Sequence, residues 1–367
     1  MMTDDLLYQI ALTLIPSVGH VHTKTLVEYF GDAKKVFTAT KKQLAAIEGV
    51  GELKINAIKS FENFTEAEHE IAFIEKYKIQ PLFITAPAYP QRLLHCYDAP
   101  ALLYFRGNVN LNASKVISII GTRNNTDYGK HVTEKLAEDL KEHNVLIVSG
   151  LAYGIDAAAH KAALKNELPT VGVLAHGLDR MYPPEHANMA KEMMHNGGIL
   201  TEFRKGMKAD RHNFPKRNRI VAGMADATIV IETAIKGGSM ITAALANSYN
   251  RDVFAVPGRT TDEKSEGCNY LITNNRAILL TDAQQLVETL GWEKRKSKRK
   301  IQKELFIELS AEEQVIVDIL KEKDLVHIDE LYLKSALSSS TVAAAILTLE
   351  LQNVIATLPG KMYKLMM

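Results

Sequence analysis

Cysteine is nearly absent from this chain: Cys96 and Cys268 are the only two among 367 residues. Two thiols cannot supply the disulfide framework of a small secreted domain, so a reducing cytoplasm is the simple expectation. No stretch has the apolar length that spans a bilayer. The start, Met1-Met2-Thr3-Asp4-Asp5, lacks the basic and then apolar segments of a secretory leader. An excess of one charge is missing too, since the net value is +1. What remains, 46% hydrophobic and 24% charged residues, is the balance of a globular protein in water. At this length two or three domains are expected.

The near-neutral total hides an uneven distribution. Residues 293–303 carry seven basic groups and one acid, and residues 204–219 carry seven against Asp210. Focused positive charge points to a polyanionic partner, although the first run is equally a solvated linker.

Periodicity divides the chain into residues 1–66, 67–291, 292–304 and 305–367. In the first part, Ile15-Pro16-Ser17-Val18-Gly19 and Ile47-Glu48-Gly49-Val50-Gly51 lie between helical apolar patterns. They resemble a tandem helix-hairpin-helix unit, which either offers backbone N–H groups to phosphate or is a helical packing module without ligand. The second part opens with extended, proline-rich pieces over 79–110. From Val116 onward, short apolar runs (116–120, 145–148, 170–174, 199–201, 228–231, 252–256) alternate with helical stretches. That alternation predicts an α/β fold, a Rossmann-like doubly wound sheet with ligand residues at the strand ends. Residues 292–304 are a basic linker. Beyond it, three helical patterns and a Pro359-Gly360 hairpin predict a winged helix.

Several signatures fail at the strand ends. The first strand runs into Gly121-Thr122-Arg123, where a dinucleotide site needs a second glycine at 123. An arginine there obstructs a dinucleotide and instead supplies a cation for a phosphate. No nucleophile elbow surrounds Ser149. Asp156 and His160 share a helix face, where a structural contact is the expected role rather than a metal or acid–base pair. The order of a Walker A loop is absent around Gly237-Gly238-Ser239. No catalytic residue, metal or cofactor is therefore expected.

A phosphate-binding kit is present. Arg211, Phe214, Lys216, Arg217, Asn218 and Arg219 cluster around a helix start, combining cations with an aromatic platform for single strands. Some of these arginines are alternatively partners of acids such as Glu202 or Glu232. Lys236, Gly237, Gly238, Ser239 and Thr242 form a second glycine turn into a helix, with Ser239 as the expected cap.

The segments Ser149-Gly150-Leu151-Ala152-Tyr153-Gly154-Ile155-Asp156, Phe214-Pro215-Lys216-Arg217-Asn218-Arg219-Ile220, Gly237-Gly238-Ser239-Met240-Ile241-Thr242-Ala243 and Val253-Phe254-Ala255-Val256-Pro257-Gly258 together resemble the DNA-processing protein A (DprA/Smf) family. The resemblance implies a homodimer that binds single-stranded DNA and loads the RecA recombinase during natural transformation. It carries phosphate-pocket contacts onto Arg123, Arg211, Phe214, Lys216, Arg217, Arg219 and the turn from Lys236 to Ser239; Gly121, Asn218 and Thr242 beside them are expected to contact the DNA as well. One departure is Gly237, where the family more often has serine.

Two rivals follow from the same residues. A phosphoribohydrolase-like nucleotide enzyme would share the strand order, but needs a glutamate after its glycines. Here Glu232 precedes them, and Ala244 and Leu245 stand where that acid is wanted. A regulator acting through the winged helix would want cations on its recognition helix, yet residues 340–352 contain none.

Overall fold

The structure is a computed structural model that describes residues 4–293, 309–323, 325–352, 354–358 and 360–366. They fall into two compact units, divided between Glu293 and Lys294. The expected basic linker lies almost wholly outside the described residues.

The first unit begins with helices α1 (Asp4–Leu14), α2 (His20–Phe30), α3 (Ala33–Thr38), α4 (Lys41–Ala45), α5 (Glu52–Lys59) and α6 (Phe64–Lys76). The two expected hairpins are both present. Ser17 and Gly49 occupy equivalent positions in them and both have positive φ, 70° and 81°. Strand β1 (Gln80–Phe83), helix α7 (Gln91–Leu94) and strand β2 (Leu102–Gly107) follow. The alternating region then runs β3 (Val116–Ile120), α8 (Asp127–Asp139), β4 (Leu146–Ser149), α9 (Ile155–Lys165), β5 (Thr170–Val173), α10 (Ala187–Met193), β6 (Gly197–Thr201), α11 (Asn213–Gly223), β7 (Ala227–Val230), α12 (Gly238–Ser248), β8 (Asp252–Ala255), α13 (Glu263–Thr273), β9 (Ile278–Leu279) and α14 (Ala283–Thr289).

These strands form one nine-stranded sheet in the order β1-β2-β6-β5-β4-β3-β7-β8-β9. It is parallel from β6 through β9, with β2 and β1 added antiparallel beside β6. The extended pieces near residues 80 and 105 thus belong to the sheet rather than merely bridging to it.

Each central strand is buried along its whole length, which explains why it reads as a continuous apolar run rather than an alternating one. The two faces are nevertheless distinct. Ile117, Ile119 and Ile147 pack with Leu136, Ala159, Ala163 and Leu286 of α8, α9 and α14. Val116, Ile120 and Val148 share the opposite core with Ile220, Ala243 and the N-terminal helices, including Ile10, Leu26 and Leu44. Each fully buried Ile or Val contributes roughly 1.5–3 kcal/mol. The N-terminal helices therefore complete one layer of the sheet domain, and the core shows no break at residue 66.

The second unit contains α15 (Ala311–Lys321), β10 (Val326–His327), α16 (Ile328–Ser335), α17 (Ser339–Leu351), β11 (Ile355–Leu358) and β12 (Met362–Leu365). Ser310 and Glu313 form a capping box at the start of α15. Ile316, Leu320, Leu331, Val342 and Leu349 supply the core. This is the expected winged helix. Strand β10, too short to leave a periodic signal, adds to the wing by pairing with β12.

Candidate nucleic-acid interface

The chain winds from β3 outward through β4, β5 and β6, then crosses to β7 and winds the other way. The loops after β3 and β7 consequently diverge, opening a crevice at the C-terminal strand ends. A cleft of about 600 Å³ lies there, lined by residues from four segments, Ile120–Arg123, Gly150–Asp156, Ala209–Val221 and Thr233–Thr242, and by Tyr182.

Glycines allow these segments to approach. A Cβ on Gly121 would strike the side chain of Ile155, and one on Gly237 would strike Thr233 Oγ1. Gly154 has φ of +77°, and a Cβ on it would run into the backbone of Thr122 and Arg123. Glu232 fixes the first loop from behind: its carboxylate accepts from Thr126 N at 2.9 Å and from the Thr126 hydroxyl, while its carbonyl accepts from Thr122 N at 2.7 Å.

The rim carries the free cations. Arg123 is exposed and lies over the Phe214 ring, its guanidinium carbon 4.8 Å from the ring centroid. Arg211 is exposed, and its Nε reaches His212 Nε2 at 3.2 Å. Neither forms an ion pair among the described residues. Tyr182 packs on Phe214 with centroids 6.2 Å apart, and Tyr153 lines an adjoining hollow with Arg123 and Phe214. Both tyrosines escaped the sequence reading, because they stand in loops that follow strands and carry no periodic signal.

The floor is different. Arg217 is 4% exposed and donates through Nη1 to the carbonyls of Gly150 and Val173. Burial lowers its guanidinium to about 10, opposed by Asp156 beside it, so it stays charged at neutral pH. Burial pushes the Asp156 carboxyl up, and Arg217 pulls it back down. Asp156 is thus the acid whose charge acts on Arg217 from nearby, without a direct ion pair between the two. His160, four residues on, is buried elsewhere with Nδ1 2.7 Å from Thr170 Oγ1. No metal-binding group of acids, histidines or thiols occurs among the described residues.

Ten of the thirteen predicted site residues line the cleft: Gly121, Arg123, Arg211, Phe214, Arg217, Asn218, Gly237, Gly238, Ser239 and Thr242. Three do not. Arg219 is buried at 7% exposure and pairs with Glu202 and the carbonyl of Asp98. Of the two acids considered as partners, Glu202 takes that role and Glu232 does not. Lys216 and Lys236 are exposed beside the cleft rather than in its lining. The basic run 204–219 is also less free than its composition implies, because Arg204 pairs with Glu66.

Ser239 is not the cap of α12. Gly237 is, with no side chain to satisfy the first helical N–H groups. Ser239 is the second residue of the helix, 7% exposed, and its hydroxyl has no hydrogen-bond partner. The open helix terminus and this hydroxyl lie together at the α12 end of the cleft. Fold and site together define a Rossmann-like domain whose switch-point cleft is bordered by arginine and aromatic side chains.

Residues 80–291 match the family described as DNA recombination-mediator protein A, and residues 306–361 match the DprA winged helix domain. The chain belongs to this DprA/Smf family. It is 36% identical to protein Smf of Synechocystis over 291 residues, which are 77% of this chain and 72% of that one. The X-ray structure of DNA processing protein A from Streptococcus pneumoniae superposes with a TM-score of 0.65 at 31% identity, covering 77% of this chain and 97% of that one. DNA processing protein A from Helicobacter pylori, whose structure was described for its single-stranded DNA binding mode, superposes with a TM-score of 0.53 at 32% identity. That match covers 58% of this chain and 96% of the other.

Proposed function

We propose that this chain binds single-stranded DNA in the β3/β7 cleft and mediates recombination of DNA taken up in natural transformation. The observation that carries this reading is the stack of exposed Arg123 on half-buried Phe214, in the same cleft as the start of α12, which no side chain caps. A guanidinium and a helix terminus bind phosphates, and an aromatic face accepts any base, so binding tolerates sequence. Stacking alone is worth about 1–3 kcal/mol per base. Kinship with the Helicobacter protein supports the same ligand. Loading of a RecA-type recombinase, action as a homodimer in the cytoplasm, and a role without catalysis are finer parts of this reading, supported by family membership.

Two observations weigh against the rivals. Glu232, the acid nearest the glycine turn, is committed to Thr126 and faces the α8 loop. The exposed face of α17 presents Ala343, Ala344, Leu347 and Leu351, a poor surface for a DNA backbone.

Competition between single-stranded and duplex oligonucleotides of equal length tests the proposal. Single strands should win, with little dependence on base order. Equal affinity for the duplex would count against it. Residues 1–293, a compact unit by themselves, should retain most of the single-strand binding.

A further inference from the structure

The buried donors at the α12 end of the cleft are arranged for more than a passing phosphodiester. Ser239 is 93% buried by its 7% exposure, its hydroxyl has no partner, and it lines the cleft together with the hydroxyl-bearing Thr242, which is 3% exposed. Gly237 caps the helix without a side chain, so no side chain satisfies the first-turn N–H groups, of which Met240 N–H turns back to the Gly237 carbonyl at 3.1 Å. Helix α12 is 11 residues long, so its terminal dipole is fully developed. An internal phosphodiester has two non-bridging oxygens and two ester links that must both leave the site. A terminal phosphomonoester has three free oxygens, one ester link and up to one additional charge.

We propose that this end of the cleft is a phosphomonoester subsite, which recognises the terminal phosphate of a DNA strand or of a free nucleotide in preference to an internal phosphodiester. The depth of Ser239 and Thr242 supports this, because only a chain end reaches donors so buried without a second link to accommodate. Helix N–H groups and hydroxyls favour the more highly charged phosphate. Arg123 and Arg211, exposed at the rim, remain available for the next phosphates of the strand. The inference rests on the proposed binding of single strands in this cleft.

The test is a set of fluorescence titrations of the full chain with oligothymidine carrying a 5′-phosphate, a 3′-phosphate or neither, the dye being on the opposite end. Thymidine monophosphate serves as competitor in each. A terminal phosphate should tighten binding about tenfold, the effect of one added charge-assisted hydrogen bond. That preference should shrink as pH falls below about 6, where the monoester becomes a monoanion. Ser239→Ala should lower the ratio of phosphorylated to unphosphorylated affinity toward one, whatever it does to both. Competition by thymidine monophosphate assigns the site to the phosphate itself, whereas preference without competition assigns it to strand ends. Equal affinities for all oligonucleotides, with a Ser239→Ala ratio unchanged from wild type, would overturn the subsite while leaving single-strand binding intact. Absence of binding to every oligonucleotide would instead overturn the proposed function.

Discussion

The rim and the floor of the cleft each use arginine, in opposite ways. Arg123 and Arg211 are exposed, and their nearest companions are an aromatic ring and an imidazole. Arg217 and Arg219 come from the same basic segment as Arg211, yet are 4% and 7% exposed and surrounded by carbonyls and carboxylates. A desolvated guanidinium must find acceptors within the protein: Arg219 donates to Glu202 and the Asp98 carbonyl, and Arg217 donates through Nη1 and Nε to protein oxygens. The outer pair keeps its donors. Access to acceptors, rather than residue type or position in a motif, separates the buried arginines from the exposed ones.

The comparison breaks most sharply at Arg217. Arg217→Ala leaves Asp156 without the nearby positive charge and two carbonyls without a donor. It should cost about 3–5 kcal/mol of stability, read as a lowered melting temperature, with DNA binding failing in step. Native melting with selective loss of binding would move Arg217 to the rim class.

Acid should weaken the same interior. Burial lowers His160 to about 3, below the 6.5 of a free histidine. As pH drops, the unfolded chain takes up that proton first, so stability present at neutral pH is lost between about 6.5 and 3. The slope is at most about 1.4 kcal/mol per pH unit. His160→Gln should flatten the decline, and a melting temperature constant from pH 7 to 5 in wild type would contradict it.

At the rim, Arg123→Ala should leave melting unchanged and weaken single-strand affinity about tenfold, or about 1.4 kcal/mol. Lys216→Ala and Lys236→Ala should do least: less than about 0.5 kcal/mol in stability and only a small loss of affinity through long-range charge.

Much of this arrangement was legible in the sequence, and the rest was hidden for physical reasons. The runs at 116–120 and 252–256 announce buried parallel strands because both faces of the sheet are covered. The glycine turns at 121 and 237 mark close approach, which the structure shows against Ile155 and Thr233. The fate of Arg217 and Arg219 could not be read from charge alone. The available signal was helical phase: Ile220 and Val221 follow Arg217 by three and four residues, and Ala222 and Gly223 follow Arg219 likewise, so both arginines share the buried faces of α11. Strand β9, with two residues, is too short to carry a period. The N-terminal helices read as a separate module because local periodicity says nothing about which surface a helix layer covers.

The salt dependence of single-strand affinity tests the central claim most directly. Wild type and Arg123→Ala would be titrated with one oligonucleotide across a range of salt, after their melting temperatures are shown to agree. If Arg123 holds a phosphate, its loss should reduce the slope of log affinity against log salt by about 0.7. An unchanged slope and unchanged affinity in a natively folded variant would contradict the placement of DNA in this cleft.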